Sequence, residues 1–377
     1  MALTLSHQSA LDAIRTLRAT ESNVQEMDPA PLAQPSPWIG RYWTARNFEP
    51  SLWRWSRPER NRHLHVAVPR RRGRVRMANV DVHSVWGDLP ANSALWIDET
   101  SRIVCPELLF LQMSETLPFP MLVQLGYELC GHYTRWADEP RNGHITDCVA
   151  AATSVAQIGH YLSSIKGMPG VNTARKALGY VCDHALSAPE AALAMVYSLP
   201  PSEAGYGMGP VTLNERVRLG DDDNWTSVRS RFPDLMFSFA PVGINYDGGG
   251  HLDLKGLVDA AQQVMEADAE ALAETRQALD EKLAEVRAKV VDDNMRNRQL
   301  ASQGRIVFPV TKEDVCDRKH LDDLTKQILG CAHATFGVDT SEFVRTLDDS
   351  SQKADRAALI ASIFPVAGAT RSSYGTM

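Results

Sequence analysis

The chain has 377 residues, of which 44% are hydrophobic and 23% charged, and this balance excludes wholesale disorder and a fibrous protein. No run of about 18 apolar residues occurs, so no membrane span is predicted, and the first residues lack the regions of a secretory signal. The net charge of −7 is unevenly distributed. Residues 1–180 carry 19 basic and 16 acidic side chains, whereas residues 181–377 carry 20 basic and 30 acidic ones. This difference fits a region that faces nucleic acid beside an acidic region.

The first 180 residues are predicted to form an α+β N-terminal region. Residues 8–20 indicate a helix, because apolar residues recur at helical spacing, namely Ala10, Leu11, Ile14 and Leu17. Strands are predicted at 63–68, 80–86 and 94–97, and helices at 106–115, 119–132, 151–165 and 172–183.

A basic stretch lies within this region. Residues 41–76 hold eleven arginines against two acidic residues, with three tryptophans among them. Arginine suits phosphate binding and tryptophan can stack on bases, so the stretch predicts contact with nucleic acid; a solvated basic surface is the alternative. The predicted nucleic-acid-binding side chains follow the strand at 63–68: Arg70, Arg71, Arg72 and Arg74.

Residues 181–335 are predicted to form a second domain of α/β type. A helix at 187–198 begins with Ser187, Pro189 and Glu190, which suit an N-cap and a first turn. Two strands follow at 234–239 and 242–247, and a strand at 305–310 and a helix at 313–333 end the domain. Residues 336–377 are rich in Ser and Asp and predict a flexible tail.

A long helical segment interrupts this domain. Residues 252–303 predict one long helix or a helical hairpin, with an inserted part at 252–291. Apolar residues recur there every seven positions, at Val258, Met265, Leu272, Leu279 and Val286, with Leu283 and Val290 in a second row. Such a row is a seam for one partner helix, so the sequence predicts intramolecular packing or a homodimer through 256–290.

The six cysteines are irregularly spaced, and none form Cys-x-x-Cys. A disulfide framework or a zinc finger is therefore disfavoured. Reduced and mostly buried thiols fit better, and the sequence predicts a cytoplasmic protein.

The strand pair and the helix at 187–198 carry the residues with the most chemistry. Residues i and i+2 of a strand point to one face, so Asn245 and Asp247 share a face that Asp234 on the neighbouring strand can approach. Glu190 could reach the same place from a packed helix. A metal-dependent phosphodiesterase needs oxygen ligands that converge on a hard cation, although each of these residues also suits an ordinary capping or surface role.

The same residues resemble a known family. Pro233-Asp234, followed about ten residues later by Ile244-Asn245-Tyr246-Asp247-Gly248-x-x-His251, resembles the core of the very-short-patch-repair-endonuclease-like branch of the PD-(D/E)XK nucleases. The segment from Asp293 to Thr311, which includes Arg296 and Asn297, resembles the next helix and strand of that branch. Ser187-x-Pro189-Glu190 resembles its leading helix.

The upstream part is similar to uncharacterised actinobacterial proteins in which an extra N-terminal region precedes the nuclease-like domain. Some of those proteins resemble the abortive-infection antitoxin and transcription-regulator family. The resemblance covers about residues 5–330. Its upstream segments are Ser6-His7-x-Ser9-Ala10, His65 in its strand, Cys105 to Met113, and Leu125 to Gly131.

The resemblance implies a restriction-endonuclease-like fold, with a mixed sheet flanked by helices, and a Mg²⁺ or Mn²⁺ site formed by Glu190, Asp234 and Asp247. Asn245 and His251 complete the implied catalytic set, in which His251 accepts or relays a proton. Arg296 is expected to contact a phosphate or a site carboxylate. The implied activity is cleavage of DNA in defence or repair, with DNA and a toxin or defence-system protein as partners.

The chain departs from that family within the site. Asn245 stands where the family usually has Glu, and a neutral amide oxygen binds Mg²⁺ more weakly than a carboxylate. Asp247 stands where the wider superfamily has Lys. Three functions stay open: a metal-dependent endonuclease with a weakened site, an inactive nuclease-fold DNA-binding regulator or antitoxin-like protein, and a protein-interaction component that assembles through the helical segment.

Overall fold

The computed structural model describes residues 3–20, 22–32, 42–43, 55, 60–69, 74–75, 78–85, 89–99, 101–139, 144–219, 230–247, 254–268 and 270–364. These residues form a mixed α/β structure with twelve α-helices and mixed sheets. The chain divides into two compact units, Met1–Met195 and Val196–Met377, whereas the sequence predicts a boundary at 180. Residues 181–195 lie in the first unit, to which the Ala185 carbonyl is joined by the hydrogen bond that it accepts from the His132 backbone N–H at 2.7 Å.

The first unit begins with a strand and a helix, β1 (Leu3–Leu5) and α1 (His7–Ala19). Its other strands are β2 (Pro29–Ala30), β3 (Tyr42–Trp43), β4 (Leu64–Pro69), β5 (Arg74–Val75), β6 (Val80–Val85), β7 (Ala94–Trp96), β8 (Ser101–Val104), β9 (Tyr133–Arg135) and β10 (Ile145–Asp147). Its other helices are α2 (Pro106–Met113), α3 (Phe119–Cys130), α4 (Val155–Ser164), α5 (Val171–Leu178) and α6 (Ala188–Ser198), the last of which crosses the unit boundary.

Six strands of the first unit form one mixed sheet in the order β2-β7-β8-β1-β4-β6. β1 lies parallel to β8 and antiparallel to β4, and β4 lies parallel to β6. In this last pair His65 lies opposite Asp81, and Ala67 lies opposite His83. Because side chains alternate along a strand, His63, His65, Asp81 and His83 come to one face of the sheet.

The apolar stripe predicted for α1 is buried, at Ala10, Leu11, Ile14 and Leu17. Two arginines of the same helix are also buried. Arg15 donates from Nε to Glu128 Oε1 at 2.8 Å and from Nη2 to Glu128 Oε2 at 2.7 Å. Arg18 donates to the backbone carbonyls of Glu128, Gly131 and Ala150. Polar anchors therefore add to apolar burial in fixing α1 to the rest of its unit.

The second unit is built on a four-stranded sheet of β11 (Val211–Leu213), β14 (Leu235–Phe237), β15 (Val242–Asp247) and β16 (Ile306–Thr311), in that order. β12 (Val217–Arg218) and β13 (Ser230–Arg231) form a separate pair. β11, β14 and β15 are antiparallel neighbours, and β16 lies parallel to β15. Gly243 is required in β15, since a Cβ there would lie 2.3 Å from Met236 Sδ and 2.4 Å from the Leu235 carbonyl oxygen.

The segment between β15 and β16 is a helical hairpin of α7 (Leu254–Glu266) and α8 (Leu272–Ser302), one of the two alternatives predicted for it. The loop divides the expected seven-residue row between the helices. Val258 and Met265 on α7 are exposed, whereas the members on α8 are half-buried, at Leu272, Leu279 and Val286. The row is therefore not one continuous seam.

Helices also occupy much of the region predicted to be a flexible tail. They are α11 (Ser341–Asp348) and α12 (Ser350–Ile363), which follow α9 (Lys312–Cys316) and α10 (Arg318–Phe336) at the end of the predicted second domain. Arg356 of α12 is fully buried, lies 4.4 Å above the Tyr206 ring and donates to Asp322 Oδ1 at 3.3 Å. The tail prediction is corrected for residues 341–363, because this polar network and the apolar side chains of α12 hold them; residues 365–377 lie outside the described part.

None of the described helices is long and apolar enough to cross a membrane. All six cysteines are free, and Cys105 and Cys130 are buried while Cys148 is exposed. Burial raises the pKa of the Cys105 and Cys130 thiols well above its ordinary value. These two side chains therefore behave as inert apolar groups.

Candidate functional site

Hydrogen bonds from backbone N–H groups to side-chain oxygens join the strand ends at which the site is predicted. Leu235 pairs with Ile244, so Asp234 and Asn245 are neighbours at the end of the β14–β15 ladder. The Asp234 backbone N–H donates to Asn245 Oδ1 at 3.2 Å, and the Tyr246 backbone N–H donates to Asp234 Oδ2 at 2.6 Å. The structure thus brings together two of the five residues predicted for the catalytic set.

Both ends of the Asn245 amide are engaged, and the residue is only 3% exposed. Oδ1 accepts from Asp234, and Nδ2 donates to Asn297 Oδ1 on α8 at 3.2 Å. A carboxylate at position 245 could not donate to Asn297, and it would place a buried charge beside the half-buried carboxylate of Asp234. The neutral side chain therefore suits the hydrogen bonding that the fold provides.

Asp247 ends β15, two residues after Asn245 and on the same face of the strand. Its side chain is half-buried. Between them, Tyr246 alternates to the other face. Burial, reinforced by the nearby Cys316, Glu313 and Asp247, raises the pKa of Tyr246 to about 12. Tyr246 therefore keeps its proton at neutral pH and cannot serve as a base there.

The last turns of α8 are fixed beside this site. Arg231 donates from Nη2 to Asp292 Oδ1 at 2.9 Å and from Nε to Gln299 Oε1 at 2.7 Å. Sequence reasoning missed Arg231, because its partners lie more than sixty positions away, at separations of 61 and 68. Arg296, which was expected to contact a phosphate or a site carboxylate, forms its ion pair with Asp293 at 3.0 Å.

A groove of about 510 Å³ runs along the same part of α8. Its lining offers two amides and one guanidinium, groups that donate hydrogen bonds to phosphate oxygens. Asn297 both lines the groove and binds Asn245, so the groove adjoins the site. The lining residues are Val291, Asn294, Asn297, Arg298 and Ala301.

Glu190 has a local role at the start of α6. Its Oε1 accepts from Ser187 Oγ at 2.7 Å, and its Oε2 accepts the Leu186 backbone N–H at 3.1 Å. Ser187 Oγ in turn accepts the Glu190 backbone N–H at 3.4 Å, which is the N-cap half of a capping box; the Glu190 carboxylate binds the backbone N–H of Leu186, one residue earlier, in place of that of Ser187. Glu190 belongs to the first unit, whereas Asp234 and Asn245 belong to the second. The structure therefore gives Glu190 the capping role that its sequence position also allowed.

Several predicted residues lie outside the described part of the chain, namely His251, Arg70, Arg71 and Arg72. Arg74 is described as a member of β5, which pairs with β3. Within the basic stretch, Arg62 pairs with Asp12 at 2.9 Å and with Asp138 at 2.6 Å. At least one arginine of the stretch is thus used inside the first unit.

Within the described residues, no three His, Cys, Asp or Glu side chains are arranged to hold a metal ion. The predicted ligands Glu190, Asp234 and Asp247 therefore do not form a complete metal site by themselves. Asp234 and Asp247 still supply carboxylate oxygens. Mg²⁺ is commonly bound by one or two carboxylates together with substrate phosphates, so these two residues fit a metal that arrives with its substrate.

A second polar grouping lies on the sheet of the first unit. His7 stacks on His83 with ring centroids 3.6 Å apart, and His65 Nδ1 lies 2.9 Å from His83 Nε2. His63 Nδ1 lies 3.0 Å from Asp81 Oδ2. Sequence reasoning missed this histidine cluster, defined as these five residues. The sequence signal that could have revealed it is the pair of patterns His63-x-His65 and Asp81-x-His83, whose spacing of two places both side chains on one face of a strand.

The inner rings of the histidine cluster are held neutral at ordinary pH. Burial, reinforced by His83 and His65, lowers the pKa of His7 to about 3. Burial also lowers the pKa of His65 and of His83, although Asp81 opposes the change in both. Neutral imidazoles do not attract phosphate by charge, so these three rings do not extend the basic surface.

The chain matches no protein-family model, no curated protein and no solved structure. Its function therefore has to be inferred from the geometry of its own residues.

Proposed function

We propose that the chain is a nuclease-like, nucleic-acid-binding protein whose second unit has a restriction-endonuclease-like fold with a weakened phosphodiester-cleaving site. The observation that carries this proposal is the pair of hydrogen bonds that joins Asp234, Asn245 and Tyr246 at the end of the β14–β15 ladder. They hold a carboxylate and an amide oxygen side by side on a mixed sheet flanked by helices. The sequence resemblance implies this same arrangement.

Asp234 and Asp247 would hold Mg²⁺ or Mn²⁺. When bound, such a metal polarises a scissile phosphate and lowers the pKa of an attacking water. Two carboxylates bind it weakly unless phosphate oxygens complete the coordination, so we expect it to bind together with DNA. Asn294 and Arg298, which line the groove beside Asn297, would bind the DNA backbone and position it at the site.

An inactive DNA-binding regulator is the second candidate, and one observation favours it. The Asn245 amide is almost fully buried and is engaged at both ends within the protein. It therefore adds neither charge nor a readily available ligand atom to the site. DNA binding without cleavage would be the outcome if Asp234 and Asp247 are too few to hold the metal.

A supercoiled-plasmid nicking assay with Mn²⁺ or Mg²⁺ tests the proposal, with Asp234→Asn as the matched variant. Asparagine keeps an acceptor for the Tyr246 backbone N–H while it removes the charge. Loss of nicking by a variant that remains folded at the assay temperature, as its melting curve shows, would support a metal-binding carboxylate at position 234. Nicking that persists in Asp234→Asn would exclude this site.

Absence of nicking by the parent chain would favour the second candidate. The variant Asn245→Glu then tests whether the missing carboxylate at position 245 is the cause. The Asn297 amide can turn to present Nδ2 to the new carboxylate, so the variant has a donor at hand. Recovered nicking would identify a weakened nuclease. Salt-dependent DNA binding by the parent chain without recovery would support the regulator, and no DNA binding at low salt would overturn both candidates.

A further inference from the structure

The histidine cluster of the first unit contains two imidazoles that are bonded directly to each other. His65 Nδ1 and His83 Nε2 are 2.9 Å apart, the ring centroids are 5.2 Å apart, and the ring planes are inclined by 25°. This geometry is that of a hydrogen bond between two nitrogens that lies close to both ring planes. One of these nitrogens has to accept, so at least one ring of the pair is neutral.

The pair also presents two nitrogens outward, His65 Nε2 and His83 Nδ1. A neutral imidazole carries one N–H and one lone pair. In a neutral pair, therefore, one outward nitrogen has a lone pair and the other has an N–H, whichever ring donates within the pair. Among the described residues neither outward nitrogen has a hydrogen-bond partner, and neither is fully buried. Both can therefore meet a ligand.

Asp81 favours one direction of the hydrogen bond within the pair. Its Oδ2 lies 3.0 Å from His63 Nδ1 and 3.9 Å from His65 Nδ1. A carboxylate favours the proton on the ring nitrogen that it faces, so His65 donates and His83 accepts. The outward lone pair is then at His65 Nε2, and the outward N–H is at His83 Nδ1.

The spacing of the outward nitrogens fits a phosphodiester. The two nitrogens of an imidazole lie on nearly opposite sides of the ring, so the centroid separation of 5.2 Å places His65 Nε2 and His83 Nδ1 about 7 Å apart. A hydrogen bond of about 2.9 Å at each end leaves room for two oxygens between them. In a displacement at phosphorus the attacking and leaving oxygens stand in line on opposite sides.

The surroundings of the pair favour RNA as the substrate. His65 belongs to the basic stretch, residues 41–76, and its side chain is 23% exposed. Burial lowers the pKa of His65 and of His83, so both rings are neutral at pH 7. Neutral imidazoles do not activate water as a bound metal does, but RNA supplies its own nucleophile, the 2′-hydroxyl, which DNA lacks.

We propose that the His65–His83 pair catalyses metal-independent cleavage of RNA. His65 Nε2 takes the proton of the 2′-hydroxyl as that oxygen bonds to the adjacent phosphorus, and the bond from phosphorus to the 5′ oxygen breaks. His83 Nδ1 gives its proton to the leaving 5′ oxygen, and the shared proton passes from His65 to His83. The products are a 2′,3′-cyclic phosphate and a 5′-hydroxyl, and exchange with water restores the starting tautomers.

Incubation of the full chain with single-stranded RNA in excess EDTA tests the proposal apart from the metal-dependent site of the second unit. RNA should be cut to a 2′,3′-cyclic phosphate, and DNA of the same sequence should stay intact. His65→Gln and His83→Gln should each lower the rate about 100-fold or more, whereas His160→Gln, at an exposed histidine of the same unit, should not. No RNA cleavage by the parent chain, equal cleavage of DNA, or full activity in either variant would overturn the proposal.

Added imidazole separates catalysis from folding. His65→Ala leaves a space beside His83 in which free imidazole can take up the proton. Millimolar imidazole should restore RNA cleavage above the rate that imidazole gives alone, while the melting temperature stays unchanged. Loss of cleavage that imidazole does not restore, in a variant that remains folded, would contradict a catalytic role for His65.

Asp81 acts as a positioning residue, and its effect belongs in the pH profile of cleavage. Burial lowers the pKa of His65, Asp81 and Asp12 oppose this change, and His63 reinforces it. Cleavage requires His65 without a second proton. Asp81→Asn should therefore lower this pKa further and move the acidic limb of the pH–rate profile to lower pH. An unchanged limb would contradict the direction assigned to the pair.

Discussion

Asp234 takes part in its own fold as well as in the candidate site, and substitutions can separate the two roles. Its carboxylate accepts the Tyr246 backbone N–H. Asp234→Ala removes this acceptor and should lower the free energy of unfolding by about 1–2 kcal/mol, whereas Asp234→Asn keeps an acceptor and should lower it by less. Urea denaturation measures both, with Asp247→Ala as the control. Equal losses for the alanine and asparagine variants would show that the hydrogen bond contributes nothing.

The histidine cluster should make stability depend on pH, beginning at pH values above those at which carboxylates titrate. The pKa of His7 is about 3 in the folded chain against about 6.5 when unfolded. Between these values the unfolded chain takes up a proton that the folded chain does not. Stability is therefore full above about pH 6.5 and falls as the pH drops toward 3.

His7→Asn tests this pH dependence, because asparagine tolerates the positive φ of 48° at position 7. The melting temperature of the parent chain should fall between pH 6.5 and 5, and the fall should be smaller in the variant. His65 and His83, which face position 7 and whose pKa values burial also lowers, contribute to the fall that remains. An unchanged slope would mean that His7 titrates normally in the folded chain.

At the scale of elements, a buried ion pair joins α1 to α3. Arg15 binds both carboxylate oxygens of Glu128. Burial alone would raise the pKa of Glu128, but Arg15 and then Arg135 outweigh it and lower the pKa to about 2. The pair's contribution to stability is present above about pH 4.5 and is lost as the pH falls toward 2.

Glu128→Gln should therefore destabilise the chain strongly, by about 3 kcal/mol, because it leaves the Arg15 charge buried without its partner. Chemical denaturation at pH 7 measures the loss. Glu115→Gln is the control, since Glu115 is an exposed glutamate of the same unit and should have almost no effect. A loss below about 1 kcal/mol for Glu128→Gln would show that water or backbone groups replace the carboxylate.

At the scale of the whole molecule, the uneven distribution of charge leads us to expect that the basic stretch, residues 41–76, contacts DNA. Replacing Arg70, Arg71 and Arg72 together with Gln should reduce the slope of log Kd against log salt by about 2.7, if each arginine contacts one phosphate. Fluorescence anisotropy with a DNA duplex measures the slope. The same replacement at the exposed Arg216, Arg218 and Lys319 is the control. Equal slopes for the two triple variants would place the contact elsewhere.

Much of the secondary structure follows from local sequence signals. The stripe of α1, the strand at 242–247 and the helical hairpin are predicted from periodicity and are present. The proximity of Asp234 and Asn245 is also predictable, because neighbouring strands and alternation place them together.

The remaining features depend on partners far away in the sequence. Arg356 makes α12 part of the core through Tyr206 and Asp322, and no pattern near Arg356 indicates these partners. From its position in the sequence, Glu190 could belong either to a metal site or to the N-terminal cap of its helix. In the structure its carboxylate accepts hydrogen bonds from the neighbouring Ser187 hydroxyl and Leu186 backbone N–H. Long-range hydrogen bonds are thus what sequence periodicity does not reveal.

Arg18 constrains the order of events while the chain is being made. The carbonyls that its guanidinium binds lie 110, 113 and 132 positions further along, at Glu128, Gly131 and Ala150. Synthesis proceeds from the N-terminus, so α1 cannot reach its final place until residue 150 has emerged from the ribosome. Until then α1 can pack only against the elements already made, such as β4 and α2, and this gives chaperones a period in which to bind the incompletely packed nascent chain.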